Sequence, residues 1–404
     1  METGTDQSAG IGDDTLADFR ALVLADPSLQ ARLGAIDRPD DYLAAMLASA
    51  AAHGLPLDPA AAQQAMGGGA PGIGRRMAAP VTLDRWPAPG WRPARSIATG
   101  AAPAFDWAWF RTQAPVQPFY DEAARQASAR PFSAMFRTRT TFDTLVSGAP
   151  APPAATPAGF VFHMSRCGST LVAQMLAAVA HHIVLAEPEP LDAVVQWGVA
   201  SAMPLPARVA ALRAMIAALA GDLTGKRLFV KLDSWHVLAL PLFRAAFPDV
   251  PWIFLYRDPI EVMVSHSRMP GIQTVAGLLP DHLFGSAGAA MPREEYCAHV
   301  LHRILQALLD HWPCGGGLLV DYAELPAAMA QRIPGHFGFT PDASESAAMR
   351  SVRGRHAKFP GAPFVADAAG KRAAASAAIR AAVAPCLDPV HAQLSALRNA
   401  TDRQ

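Results

Sequence analysis

The chain has 404 residues, of which 51% are hydrophobic and 17% are charged, so it is long enough for two domains and can bury a sizeable core. Its 34 basic and 34 acidic side chains give a formal net charge of zero, which argues against a general nucleic-acid or membrane-surface binder. The 4 cysteines form no CxxC pair, which argues against a disulfide framework or a zinc site and favours a reducing compartment. We expect a cytoplasmic protein, because we find no secretory signal and no apolar run of about 18 residues.

The first 158 residues predict two regions without recognisable catalytic chemistry. Residues 1–66 predict a small helical unit, because apolar residues recur at helical spacing and His53-Gly54 supplies a stop signal. Residues 67–158 predict a glycine-rich linker followed by an irregular and partly helical segment, with one helix near 119–129.

Four features of the N-terminal unit form a pattern: Phe19, the turn Asp26-Pro27-Ser28-Leu29, Tyr42 and the break at His53-Gly54. With these features the unit resembles the nitrogen-fixation type of leader-peptide-like domain, which is attached to some ribosomally made natural-product precursors. The resemblance covers about fifty residues. The alternative is a helical cap that packs on the main domain.

From Gly159 onward, short apolar runs alternate with helical stretches. This alternation predicts an α/β domain over 159–404, in which a P-loop-like central parallel sheet is flanked by helices. The strand candidates are 159–164, 183–186, 228–231, 252–256 and 317–320.

A tight loop of small and hydroxyl residues follows the first of these strands and runs directly into a helix. Gly168 lets the backbone approach an anion, Arg166 supplies a full positive charge, and Ser169 and Thr170 can donate hydrogen bonds to phosphate oxygens. The loop is not a Walker A motif, because Ser169 stands where that motif has lysine. The sequence therefore predicts a site for a diphosphate-like group, with an ordinary strand–loop–helix turn as the alternative.

A second candidate phosphate site follows the fourth strand. The strand ends at Arg257, Asp258 is placed as an N-cap, and Pro259 takes the first helical position. Ser265 lies 8 residues after Arg257, so the two can share a ligand only if the bend brings the helix past the arginine. A local Arg257–Asp258 ion pair is the alternative.

The two segments together resemble the superfamily of sulfotransferases that use PAPS (3′-phosphoadenosine 5′-phosphosulfate). The resemblance covers about 159–365 and implies that PAPS binds without a metal and that PAP is the product. Tyr322 matches a tyrosine that often lies near the adenine, and Arg353 and Arg355 match a basic loop that grips the 3′-phosphate. The residues that match the 5′-phosphosulfate loop and the 3′-phosphate site are Ser165, Arg166, Cys167, Gly168, Ser169 and Thr170, and Arg257 with Ser265.

The resemblance also suggests which residues take part in catalysis. Glu187 matches the catalytic glutamate of the tyrosylprotein and related bacterial types, and burial is expected to raise its pKa into a useful range. His236 is the second candidate for the general base, although its spacing departs from the Lys-Thr-His pattern of the cytosolic enzymes. Lys231 can stabilise developing charge, with an ion pair to Asp233 as the alternative, and we expect His163 to be a core histidine.

The sequence therefore predicts an enzyme that moves a sulfuryl group from PAPS to a hydroxyl or amine of a small-molecule or peptide acceptor. Loops around 188–220 and 266–295 are expected to build the acceptor pocket, with the N-terminal region as a further candidate. Neither a nucleic-acid partner nor a membrane span is expected. The oligomeric state is not predicted. The alternatives are a P-loop-type kinase and a nucleotide- or peptide-binding module without catalysis.

Overall fold

The computed structural model describes residues 8–67, 78–100, 102–111, 115, 117–150, 155–222, 224–286, 290–325, 327–352, 355–356, 359–363 and 368–401. Among these residues, we find no helix that is both long enough and apolar enough to cross a membrane.

The chain divides into two compact units. The first comprises Met1–Ala154 with Ala214–Asp222, and the second comprises Ala155–Arg213 with Leu223–Gln404. The division into three regions stays a prediction of the sequence. The predicted glycine-rich linker lies outside the described residues beyond Gly67.

The helices begin and end as follows: α1 Ser8–Ala25, α2 Pro27–Gly34, α3 Pro39–Ala52, α4 Pro59–Ala65, α5 Tyr120–Ala129, α6 Pro131–Met135, α7 Phe142–Ser147, α8 Ser169–Ala177, α9 Glu189–Ala200, α10 Leu205–Ala220, α11 Leu240–Ala246, α12 Pro259–Arg268, α13 Asp281–Phe284, α14 Arg293–His311, α15 Ala328–Gln331, α16 Ile333–His336, α17 Ala343–Ser351, α18 Ala368–Ala373, α19 Ala377–Val383 and α20 Leu387–Thr401. Short 3₁₀ helices span Ser234–Ala239, Ile272–Thr274, Trp312–Cys314 and Tyr322–Glu324.

The strands begin and end as follows: β1 Val81–Leu83, β2 Trp91–Ile97, β3 Ala104–Trp109, β4 Thr138–Thr140, β5 Gly159–His163, β6 His182–Ala186, β7 Arg227–Lys231, β8 Trp252–Tyr256, β9 Gly317–Asp321, β10 Arg355–His356 and β11 Phe359–Pro363. Strands β10 and β11 form a two-stranded antiparallel sheet.

The first unit begins with the predicted helices and continues with a sheet. Asp26 and Asp58 cap α2 and α4 by accepting backbone N–H bonds, and each is followed by a proline at the first helical position. The predicted helix near 119–129 is present as α5. The prediction of an irregular segment was wrong, because β1 to β4 form a four-stranded sheet in the order β1-β4-β3-β2. Two of these strands have only 3 residues, too few for a period-two pattern to be visible.

The second unit contains the predicted α/β sheet. Its five strands are all parallel and lie in the order β6-β7-β5-β8-β9, flanked by helices. The three central strands are rich in aromatic and aliphatic residues, and β5 and β8 are buried along their whole length. The fold class expected from the sequence is confirmed.

The strand order determines where a ligand can bind. The chain leaves β5 toward β6 and β7 on one side of the sheet, and it leaves β8 toward β9 on the other. In open α/β sheets, the crevice at such a reversal, beyond the carboxyl ends of the strands, is the usual ligand site. Here that crevice lies between the ends of β5 and β8, which the two predicted phosphate segments follow directly.

Candidate active site

The loop between β5 and α8 has an unusual backbone conformation. Ser165, Arg166 and Gly168 have φ angles of 80°, 53° and 86°, in the left-handed region. Two of these three residues carry a Cβ atom and are therefore strained, and such strain tends to occur at functional sites. The loop turns sharply from the strand into the helix and leaves the first N–H groups of α8 at its tip.

The side chains of this loop differ in whether they are engaged within the protein. Cys167 is fully buried and its Sγ contacts the carbonyl oxygen of Leu255 at 3.1 Å, so only its backbone can meet an anion. Burial raises the pKa of the Cys167 thiol to about 12. The hydroxyls of Ser169 and Thr170 make no hydrogen bond to any part of the chain that the structure describes. These hydroxyls can therefore donate to a ligand.

Arg166 reaches across the loop. Its Nη2 donates to the carbonyl oxygen of Met269, just after α12. Desolvation lowers its pKa, and the carboxylate of Glu187 acts in the opposite direction, so the two side chains interact electrostatically. Arg166 thus links the loop after β5 to the end of α12 and interacts electrostatically with the candidate catalytic glutamate.

Arg257 is held by a buried carboxylate that the sequence analysis did not single out. Its Nε and Nη2 each lie 2.6 Å from Oε2 of Glu261, which is only 2% exposed. The Nε of Arg372 donates to the other oxygen of Glu261 at 2.7 Å. The i, i+4 spacing of Arg257 and Glu261 was a usable signal for this pair, whereas nothing local pointed to Arg372.

Asp258 and Pro259 start α12 as predicted. The Asp258 side chain accepts from the Glu261 N–H at 3.1 Å, and Pro259 takes the first helical position. Ser265 donates to the backbone carbonyl of Glu261 at 2.9 Å. Ser265 and Arg257 therefore share Glu261 as a partner, one through its backbone and the other through its carboxylate.

The two phosphate segments meet at the switch point. The Arg257 N–H contacts Sδ of Met164, at the start of the loop, at 3.2 Å. The Tyr322 ring lies 3.8 Å from Cζ of Arg257, which is cation–π geometry. A Cβ on Gly168 would lie 3.0 Å from Cδ2 of Tyr322. The structure thus brings Gly168, Arg257 and Tyr322 together.

Glu187 and Lys231 lie at the same edge of the sheet, at the ends of β6 and β7. Nζ of Lys231 donates to Oε1 of Glu187, and Nε2 of His163 lies 3.2 Å from the same oxygen. Lys231 is 1% exposed, whereas the Glu187 side chain is 24% exposed and can still be reached from solvent. Glu187 also has a left-handed φ of 51°.

The pKa of Glu187 shifts in the direction opposite to our expectation. Burial by itself raises the pKa of the carboxyl, but the charge of Lys231 and the hydrogen bond from His163 outweigh burial and hold the pKa well below its ordinary value. The expectation of a raised pKa rested on burial alone, because no local pattern shows that the neighbouring strand places a lysine against this carboxylate.

His163 supports Glu187 as a neutral donor. The Ser165 N–H donates to Nδ1 of His163 at 3.0 Å, so the proton of the neutral ring lies on Nε2. Nε2 then donates to the Leu232 carbonyl at 2.9 Å and faces Glu187. Burial, and then the charge of Lys231, lower the pKa of His163 to about 4. Both ring nitrogens of this core histidine are therefore engaged.

His236 is 1% exposed, and both of its ring nitrogens are engaged. Nδ1 accepts from the Asp233 N–H at 3.2 Å, and Nε2 donates to Oδ1 of Asp192 at 2.9 Å. Ligand atoms of Asp192, Asp233 and His236 lie within 4.8 Å of one another, which a metal ion would require. However, Oδ1 of Asp192 also accepts from Trp235 at 2.7 Å and from Gln196 at 2.8 Å. Hydrogen bonds within the protein thus account for this cluster.

The predicted basic loop is only partly described. Arg353 lies outside the described residues, and Arg355 is described only as part of strand β10. Their role toward a 3′-phosphate stays a prediction.

No protein-family model matches the chain, and a comparison with curated proteins finds no match. Among solved structures, the chain is similar to sulfotransferase STF1 of Mycobacterium tuberculosis H37Rv, at 16% identity and a TM-score of 0.37, over 52% of this chain and 76% of that one. It is similar to sulfotransferase STF9 of Mycobacterium avium, at 16% identity and a TM-score of 0.39, over 60% of this chain and 78% of that one. It is also similar to the sulfotransferase domain of the Synechococcus PCC 7002 olefin synthase, at 15% identity and a TM-score of 0.34, over 49% of this chain and 78% of that one. Each of these three solved structures is described as a sulfotransferase or a sulfotransferase domain.

Proposed function

We propose that this protein is a sulfotransferase that uses PAPS as donor and transfers the sulfuryl group to a hydroxyl or amine. One observation carries the proposal: the loop Ser165–Thr170 and the Arg257–Tyr322 pair meet at the switch point of the sheet, beside Glu187 and Lys231. The loop residues and Arg257 are the ones that the family resemblance assigns to the two ends of the donor.

The described residues fit such a donor. The Ser169 and Thr170 hydroxyls are available to the phosphosulfate, together with the N-terminal N–H groups of α8. The Tyr322 ring beside Gly168 offers a flat apolar surface of the kind on which an adenine stacks. A phosphate at Arg257 would share its guanidinium with Glu261, and Arg372 would offset part of that carboxylate charge.

Each charged side chain of the site has a distinct role in the proposed chemistry. The bound donor supplies a sulfur atom whose bond to the bridging phosphate oxygen breaks as the acceptor oxygen bonds to it. Glu187 takes the acceptor proton onto its carboxylate, which is ionised at neutral pH. Lys231 holds this carboxylate in place and adds positive charge near the departing oxygen.

His236 is the weaker candidate for the base in this arrangement. Both of its nitrogens are engaged, and it is almost fully buried. We assign it the role of fixing Asp192 at the start of α9. Glu187 is the more accessible of the two groups.

The test is an incubation of the full chain with ³⁵S-labelled PAPS, EDTA and a panel of alcohols, phenols, amines and tyrosine peptides. Release of PAP together with label on an acceptor supports the proposal. PAP binding without turnover would instead indicate a binding module. Turnover with ATP that requires Mg²⁺ would indicate a kinase.

A further inference from the structure

Exposed large apolar side chains of the second unit occur in two stretches of the chain. Among the described residues, Val199 and Leu205 lie near the junction of α9 and α10, and the others follow α12. These others are 39% to 58% exposed, namely Met269, Ile272, Val275 and Leu278. A single exposed apolar residue is ordinary, but four within ten residues form a patch of the kind that marks a binding surface.

The segment 269–278 is arranged with its polar side chains inward. Gln273 and Thr274 are only 5% and 4% exposed, and the Thr274 hydroxyl donates to the Gly271 carbonyl at 2.9 Å. No residue between 269 and 280 carries a charged side chain. The segment thus buries its polar side chains and exposes four apolar ones, which is the reverse of an ordinary surface loop.

Side-chain contacts at the start of this segment and just beyond its end hold it against the loop after β5 and against α9. At its start, the Met269 carbonyl accepts from Arg166, which interacts with Glu187. Just beyond its end, Nε2 of His282 lies 2.7 Å from Oε1 of Gln196 on α9. The side-chain amide of Gln196 in turn donates to Asp192. The segment that carries the patch therefore begins at a backbone contact with Arg166 of the phosphate loop.

We propose that the acceptor is a small amphiphilic molecule, with an apolar body and one hydroxyl, and that its body packs on the patch Met269, Ile272, Val275 and Leu278. This inference rests on the proposed function and narrows its acceptor class. Because the patch carries no charge, an anionic sugar or an acidic peptide gains no electrostatic attraction from it, whereas an apolar body gains by leaving water.

A homologous series of acceptors tests the proposal. PAP release from PAPS is measured with 1-hexanol, 1-octanol, 1-decanol, glucose and an acidic tyrosine peptide. We expect kcat/KM to rise by roughly fourfold per methylene while the chain still reaches the patch, at about 0.8 kcal/mol per buried CH₂. A series without this rise, or a clear preference for glucose or the peptide, would overturn the acceptor class and leave the sulfotransferase function standing. Failure of the full chain to bind PAP would overturn both.

Matched variants test the surface itself. Leu278→Asn is compared with Leu309→Asn, because Leu309 is a partly exposed leucine near the end of α14 that lies outside the patch and outside both predicted acceptor loops. We expect Leu278→Asn to raise the KM for 1-decanol by roughly tenfold, with kcat and PAP affinity unchanged, and Leu309→Asn to leave all three unchanged. Equal effects of both variants, or no effect of either, contradict the proposal. A wild-type dimer in sedimentation that Leu278→Asn dissociates would assign the patch to a second copy of the chain instead.

Discussion

Lys231 and Glu187 are joined twice across two neighbouring parallel strands. The Lys231 ammonium group donates to Oε1 of Glu187, and the Glu187 N–H donates to the Lys231 carbonyl at 2.8 Å. The backbone contact aligns the ends of β7 and β6, and this alignment sets the two side chains against each other. An ion pair with one buried partner has defined geometry, which a catalytic carboxylate requires.

Glu187→Gln removes the proposed base and keeps its shape. We expect turnover with PAPS to fall by about 10²- to 10⁴-fold, while calorimetry finds PAP affinity close to that of the wild type. Glu189→Gln, two residues away at the start of α9, is the matched control and should retain its activity. Near-wild-type turnover of Glu187→Gln would remove this residue from the mechanism.

Lys231→Met tests how the pKa of Glu187 is controlled. In the wild type the pKa of Glu187 is held below its ordinary value of 4.5, so the carboxylate stays ionised. Protonation of Glu187 should therefore not reduce turnover as the pH is lowered to about 4.5. Without the lysine, burial dominates and raises the pKa, so the acid limb of kcat should move to higher pH. An unchanged pH–rate profile in a folded variant would show that Lys231 does not tune the base.

The buried His163 should make stability depend on pH. Its pKa is about 4 in the folded protein, against 6.5 for an ordinary histidine, so the unfolded chain binds more protons between these values. The free energy of unfolding should therefore fall as the pH decreases from 6.5 to 4, by about 3 kcal/mol from this group.

His163→Asn keeps an acceptor for the Ser165 N–H and removes the titration. Urea unfolding at several pH values should give a shallower slope for this variant than for the wild type. His182, whose pKa is also lowered to about 4 by burial, keeps part of the slope in both proteins. Identical slopes would mean that His163 is not neutral and buried.

Arg257→Ala removes a cation whose guanidinium is already oriented by Glu261 and by the Tyr322 ring. We expect PAP binding to weaken by about 2 to 3 kcal/mol, since a charged and largely desolvated hydrogen bond is lost. Arg268→Ala, an exposed arginine at the end of α12, controls for the loss of one positive charge. Unchanged PAP affinity in Arg257→Ala by calorimetry would refute the second phosphate site.

Gly168→Ala places a methyl group where the structure has no room. Its φ of +86° is unfavourable for alanine, and the Cβ would lie 2.9 Å from Cδ1 of Leu325. We expect the variant to lose about 1 to 2 kcal/mol of stability and to bind PAP more weakly, because the loop shifts away from Tyr322. Gly225→Ala has a similar φ of +67° but open space around the Cβ, and should lose stability only. Equal PAP affinity in the two glycine variants would contradict the proposed role of the loop.

The sequence by itself determined the local features of the second unit. Short-range patterns predict its strands, the turn at Gly168, and the start of α12 at Asp258 and Pro259. Such patterns suffice because hydrophobic runs, caps and φ preferences act within a few residues. The contact between Arg257 and Glu261 is also a short-range feature, because a helical turn brings residues at i, i+4 spacing together.

Only the tertiary structure decided which distant side chains meet. Glu187 and Lys231 are 44 residues apart, and Glu261 and Arg372 are 111 apart. Their contacts depend on the strand order β6-β7-β5-β8-β9 and on how the helices pack on the sheet, which no local pattern encodes. The low pKa of Glu187 and the outward-facing apolar patch after α12 are consequences of that packing. Burial and charge at a given residue are determined by its neighbours in space, and those neighbours come from the whole fold.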